Sequence, residues 1–424
     1  MNFNHFPAYE EHDPNVPVWC LTPNHSGCIH RFFDTSPISP SGRYLAVFQL
    51  PFEDRLPHPG DTGRVIVIDL ETGNEVHAID TAGWEPQMGA NLNWGATDHQ
   101  LYFNDVDPQN WMPFAWKLDA LTGEKTRMEG TVYHASQDGK WLVSANMSNM
   151  GRTQPGYGVV IPHECAHRNI GLSETDGFWL TNTKTGKIHR FFSIKELWEQ
   201  ADPPIKELHP EQYEIYGFHS KFNPQCDRLM VSLRWFPAQA EPRWNLFGIN
   251  HAEVKFAWIT LRLDGSEVHC AVGPDEWEKG GHHGTWFPDG EHISMNLNID
   301  RNGLRFVQVN QDGTGLRKML SAVMGSGHPS VHPNGTHLIT DTYTFEKGTS
   351  YGDGTIPLRW VDLRNGEEMD IVRIKTETPA KESVLRVDPH PAWDRSWRYV
   401  IFNGFVDGTR RVFVADLASL LKNE

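Results

Sequence analysis

Four histidines hold one place in four successive segments of this 424-residue chain. His283 in "GHHGTWFPDGEHI" and His328 in "GHPSVHPNGTHLI" each stand five residues before the proline of a Pro-Asp-Gly or Pro-Asn-Gly turn. His219 stands five before Pro224, and His390 takes the same place in "HPAWDRSWRYV". Imidazole offers a neutral nitrogen lone pair near physiological pH, so a group of them can hold a transition-metal ion or move protons. Several imidazoles favour Mn, Fe, Ni, Cu or Zn over the oxygen-seeking Ca and Mg. Asp388, two residues before His390 and so on the same face of an extended strand, adds a carboxylate. Three histidines on the ion with one left for proton transfer is the easier geometry. In the alternative reading the four brace their segments by hydrogen bonds, as consensus residues of a repeat do.

The segments that carry them belong to a longer repetition. A turn, an apolar strand and a second strand closing on an Asp-Gly or Thr-Gly hairpin recur seven times, most plainly in "RVIVIDLETGNEVHAI", "FAWITLRLDGSEVHCAV" and "LRWVDLRNGEEMDIV". A unit of about four short strands cannot bury both of its faces alone, so units of this size stack radially. The pattern predicts an all-β fold, a seven-bladed β-propeller occupying 1–424 as a single domain. Its last unit runs out of chain, so an N-terminal strand, "VPVWCLT" or "CIHRFF", is expected to close the ring. Aligned on their turns, the inner strands place Thr35, Asn91, Val132, His219, His283, His328 and His390 in register, each followed three residues later by an apolar one, Ile38, Trp94, Ala135, Phe222, Trp286, Val331 or Trp393. Three residues along a strand is the opposite face or the far side of a kink, which keeps the histidines out of the apolar layer. They are expected at one mouth of the central channel. A rim insertion at 145–218, with a short helix capped by Ser193, separates blades 3 and 4.

A formal net charge of −16 argues against nucleic acid or an anionic membrane as partner. The sequence shows no apolar run of the roughly 18 residues needed to span a bilayer, and the first residues lack the pattern of a secretory leader, so a cytoplasmic protein is expected. Five cysteines without a CxxC pair fit reduced, mostly buried thiols. Arg234 in "SLRWF", near the end of the strand after His219, is a candidate cation for the same mouth. Tyr157 in "GRTQPGYG", with Arg152, is a candidate acid or base on the insertion. His163, Cys165 and His167 have ligand-like spacing that works only on a helix, and His332 and Tyr343 are candidates for a supporting role around His328. The chain has no GxSxG elbow and no phosphate loop.

With the seven-unit layout, "SGHPSVHPNGTHLITDTY" and "DPHPAWDRSWRYVIFNGFVDGTRRVFVADL" resemble the β-propeller polysaccharide lyases, most of all the oligogalacturonate lyases and relatives that cleave rhamnose–glucuronate and ulvan linkages. The likeness covers most of the chain in layout and its last three or four blades in motif. It implies a divalent metal, most often manganese, with zinc and calcium as alternatives, held by histidines at His328 and His390. It further implies a catalytic histidine at His283 and a catalytic arginine at Arg234, with His219 as ligand or base. The family pairs two histidines in the last blade where this chain has Asp388 before His390, and its glutamine ligand has no counterpart. The ulvan and rhamnose–glucuronate relatives use a Tyr–His pair as acid and base, which keeps Tyr157 in the set.

The expected activity is β-elimination on an acidic, uronate-containing oligosaccharide. That reaction needs the C6 carboxylate neutralised, a base for the C5 proton and an acid for the departing oxygen. A non-catalytic binding propeller and a calcium-dependent propeller hydrolase or lactonase are the rival classes. The second would want carboxylate ligands where histidines dominate here.

Overall fold

The computed structural model describes residues 1, 3–207, 209–239, 254–346, 348–380 and 382–422, and of 240–253 only the short strands Trp244–Asn245 and Gly248–Ile249. Seven four-stranded antiparallel sheets follow one another around a central axis, each running from an inner to an outer strand. The inner strands of blades 2 to 7 are Asn93–Trp94, His134–Ala135, Tyr213–Phe222, Gly281–Trp286, Ser330–Val331 and Ala392–Trp393. The chain is thus a seven-bladed β-propeller. No helix among the described residues is long and apolar enough to cross a membrane.

The middle strands are mostly apolar on both faces because neither face meets solvent. In Tyr44–Gln49, Leu45 and Val47 join a cluster with Tyr399 and Ile401 of blade 7, while Ala46 and Phe48 join one with Leu101 and Phe103 of blade 2. The two-residue period of a strand therefore glues a blade to both neighbours at once. A similar cluster lies at every other blade boundary, including Phe178 with Leu233 between blades 3 and 4 and Trp258 with Met295 between blades 4 and 5. The core is a ring of interfaces around the axis.

Closure comes from "VPVWCLT". Val18, Trp19 and Cys20 pair with Ala415, Val414 and Phe413, adding the outer strand of blade 7. The other candidate, "CIHRFF", opens blade 1: Cys28 and Ile29 pair with Gln49 and Phe48, and the inner strand resumes only at Ile38, opposite Leu45. The intervening residues 30–37 leave the sheet and run into the axis. Phe32 and Phe33 there are 0% and 1% exposed. The excursion is anchored by buried charge. Arg31 donates to Asp34 and Thr35 at 2.7 Å each, and Lys221 of blade 4 pairs with Asp34 at 2.8 Å.

The interval 145–218 holds more than an insertion. Gly177–Asn182 and Ile188–Ser193 are the outer strands of blade 3, so one excursion, 146–176, lies within the blade and a second, 194–212, follows it. The second contains the helix Ile194–Gln200, whose Ser193 hydroxyl accepts from the Glu196 amide as an N-cap. The first folds over the channel, where Met147, Met150, Tyr157 and Val159 pack with Phe32, Phe33 and Phe218.

Candidate metal centre and proton-transfer pair

The inner-strand register holds in three dimensions. Ile38, Trp94, Ala135, Phe222, Trp286, Val331 and Trp393 each pair with the residue seven further on. The residues three before them are therefore equivalent, and the backbone there is bent. Asn91, His283 and His390 have φ of 54°, 58° and 50°. The ladder is broken between Gly217 and Ser220 and between His282 and Thr285. Left-handed backbone at a non-glycine residue is uncommon and costs energy that the surrounding structure must supply. The bend turns the histidines out of the sheets and toward the axis.

Three groups converge most closely. One donor atom from each of His328, Asp388 and His390 lies within 4.8 Å of the others, and all three residues are buried. His328 presents Nε2, because its Nδ1–H is held by Asp341 at 2.9 Å. That Nε2 and both ring nitrogens of His390 have no hydrogen-bond partner. Buried polar atoms left unpaired are costly and rare in a folded protein, and two imidazole nitrogens beside a carboxylate oxygen suit manganese, iron or zinc. The donor set therefore fits a divalent ion. Burial, reinforced by neighbouring imidazoles, holds His390 well below the usual histidine range, so its ring is neutral and able to ligate.

His283 adjoins this trio without belonging to it. Its ring stacks on His328 with centroids 3.8 Å apart. Its Nδ1 faces the Gly327 carbonyl at 2.8 Å, and since a carbonyl only accepts, Nδ1 carries the proton. The bare Nε2 then accepts from the Tyr343 hydroxyl at 3.3 Å. Burial lowers His283 well below the usual range, with His328 and His282 adding to the shift, and burial raises Tyr343 well above its own. Both groups rest neutral, one a base and the other an acid. His283, Tyr343, Arg234 and Arg386 are only half-buried, so the trio is approached from their side.

Two arginines lie around the same groups, both felt electrostatically by Tyr157. Arg234 lies over the Phe218 ring at 3.5 Å and donates to Gln154 at 2.6 Å, and burial pulls its guanidinium down to about 9. Arg386 donates to Asp388 at 2.9 Å. Tyr157 is 6% exposed and feels Arg386 and Asp388 electrostatically, and burial pushes it up to about 12.

Other expectations are relocated. His219 is outside the trio: Phe218, Tyr133 and Phe32 rings enclose it at 4.4, 5.3 and 5.6 Å, and it is 6% exposed. Arg152 is taken up by Glu214 and Tyr216. His163–Cys165 is a single 3-10 turn, so the helical pairing of His163 with His167 does not exist. His332 bonds the Trp397 carbonyl at 3.1 Å and packs on Trp393 at the far end of the channel.

The sequence reading passed over Arg386, Asp341, His30 and Glu85. His30 comes from blade 1 and places its ring 6.4 Å from His390. Glu85 is a buried acid beside Asn91 and the Gly158 amide, raised by burial to about 8. Asp341 had a readable signal. Asn104, Asn296 and Asn403, in "LYFND", "SMNL" and "IFNG", each reach from a second strand to the backbone of the next blade, at Val132, Gly327 and His30. Blade 6 has Asp341 at this place, and its Oδ2 accepts from the His390 amide at 3.1 Å. Being a carboxylate, it also fixes the His328 ring, which an amide would do less strongly. Gly327 makes room for it, since a Cβ there would collide with Asp341. Asp341→Asn should keep the strap between blades yet weaken metal binding by about 10 to 100-fold, the usual effect of losing such a partner. Calorimetric manganese titration beside a thermal melt checks both parts.

No family model and no curated protein matches this chain. Among solved structures, the fold is similar to that of an oligogalacturonate lyase in complex with manganese, with a TM-score of 0.61 and 15% identity over 98% of this chain and 97% of the other. The oligogalacturonate lyase of Vibrio parahaemolyticus is similar at a TM-score of 0.58 and 14% identity over the same shares, 98% and 97%. At such identities the shared property is the propeller, matched end to end.

Proposed function

We propose that this protein is a lyase that cleaves short uronic-acid oligosaccharides by β-elimination. The observation that carries the reading is the contact between His283 Nε2 and the Tyr343 hydroxyl, 3.3 Å, beside the His328, Asp388 and His390 donors. The full-length likeness to two oligogalacturonate lyases supports it.

Arg234 and Arg386 are the local cations that let an acidic protein hold an acidic sugar. A divalent ion at His328, Asp388 and His390, manganese by preference, would supply charge neutralisation of the C6 carboxylate. His283 Nε2, bare and neutral, takes the C5 proton. Its electron pair becomes the C4–C5 double bond as the C4–O bond breaks, and the departing oxygen takes the Tyr343 proton. The His283–Tyr343 contact then returns the proton from imidazolium to phenolate, so the pair ends as it began. Tyr157, against the same pocket, is the second candidate acid.

The test is the ultraviolet absorbance of the conjugated product double bond, followed over oligogalacturonate, rhamnose-capped glucuronate and ulvan fragments with and without chelator. A rise on one substrate that chelation removes is expected. Silence across the panel, with manganese, zinc and calcium each supplied, would return the histidines to a bracing role.

A further inference from the structure

The other end of the channel is built as a site of its own. The inner strands run from the histidines toward their turns, and the residues near those turns enclose a cavity of about 310 Å³. Six of the seven apolar residues three places beyond the histidine register line it, Trp94, Ala135, Phe222, Trp286, Val331 and Trp393, and Trp397 joins them. They are thus the wall of a chamber as well as part of the packing between blades. Phe33 and Asp34 of the blade 1 excursion form its floor. The opposite side of that floor is the histidine cluster, where the Phe33 ring lies 5.2 Å from His328.

The lining chemistry selects a kind of ligand. Lys221 is matched by Asp34 at 2.8 Å, and Arg395 donates to the Trp94 and Gly95 carbonyls. The second lining carboxylate, Asp394, accepts from Ser396, Arg398 and Tyr399 amides. His134 is neutral, pushed down to about 4 by burial. With two cations, Lys221 and Arg395, and two carboxylates, Asp34 and Asp394, in its lining, the chamber carries no net formal charge to select an anion or a cation. It offers indole faces, whose negative quadrupole attracts polarised C–H bonds. It also offers the side chains of Gln137, Thr285 and Ser330. An apolar wall with a few convergent polar groups at this volume is the form of a small-molecule site, at the lower end of the usual range of roughly 300–1,000 Å³.

We infer that this chamber is a second binding site, for a neutral hydroxylated ring of single-hexose size. The inference stands apart from the elimination chemistry. Indole fluorescence, or calorimetry, of the metal-loaded protein with glucose, galactose, rhamnose and xylose tests it. At least one sugar is expected to bind saturably in the millimolar range. Trp393→Leu, which removes one aromatic face from the wall, should weaken that binding about fivefold or more, the scale of one lost aromatic contact. Ser330→Ala, which removes a lining hydroxyl, serves the same purpose should Trp393→Leu fold poorly. Both variants should keep wild-type lyase activity, and His328→Gln should keep sugar binding. No saturable binding by any of the four sugars overturns the inference, as does binding indifferent to both chamber variants. Binding abolished by His328→Gln with the chamber intact would assign the sugar to the histidine site and equally overturn it.

Discussion

His328→Gln and His390→Gln should each lower elimination by about 10² to 10³, the range for losing a principal charge-stabilising element. Both should lose manganese binding in the same titration. The two losses should not multiply. With one of these donors gone the site would no longer hold an ion, so the double variant should resemble the worse single one. His390 has both nitrogens unpaired in a buried site, so its replacement removes a group with no other bonding role on its ring. The thermal midpoint without metal should change little, and with metal the wild type alone should gain stability. A variant that kept both its metal and its rate would sink the assignment.

The second large effect belongs to the His283–Tyr343 pair. Tyr343→Phe and His283→Gln should each lower kcat by about 10² to 10⁴ with little change in KM, because both groups act on protons that move only in the transition state. Metal binding should survive in both, since neither residue is among the three convergent donors. Arg234→Lys should behave otherwise. A guanidinium stacked on Phe218 gives way to a point charge that cannot match a carboxylate in two-pronged fashion, so KM should rise. Steady-state kinetics with metal saturation measured in parallel separates the three behaviours.

The propeller was legible because its signal is repeated seven times. A turn set between two paired strand positions seven residues apart recurs in every blade, and one such match would mean little alone. The same repetition exposed His283, His328 and His390. Features that occur once were harder to see. "CIHRFF" has the composition of a strand, and nothing local says that Cys28 and Ile29 stay in the sheet while Phe32 and Phe33 leave it. Arg386 lies outside the repeated register, and its role comes from Asp388 two residues away. His219 shared the register with His328 and His390 yet is enclosed by Phe218, Tyr133 and Phe32, the last two from distant segments whose contact no spacing encodes. Asp341 was hidden in another way. Its position is repeated in Asn104, Asn296 and Asn403, and the informative event was the exchange of an amide for a carboxylate at one of them.

The residues that leave blade 1 bear on the route taken by what the protein handles. With Phe32 and Phe33 packed across the axis at 0% and 1% exposure, the channel is blocked between the histidine cluster and the chamber at its other end. A polymer cannot be threaded from one side to the other, and whatever enters beside His283 must back out the way it came. Under the elimination reading, a saccharide is then both admitted and released on the histidine side alone.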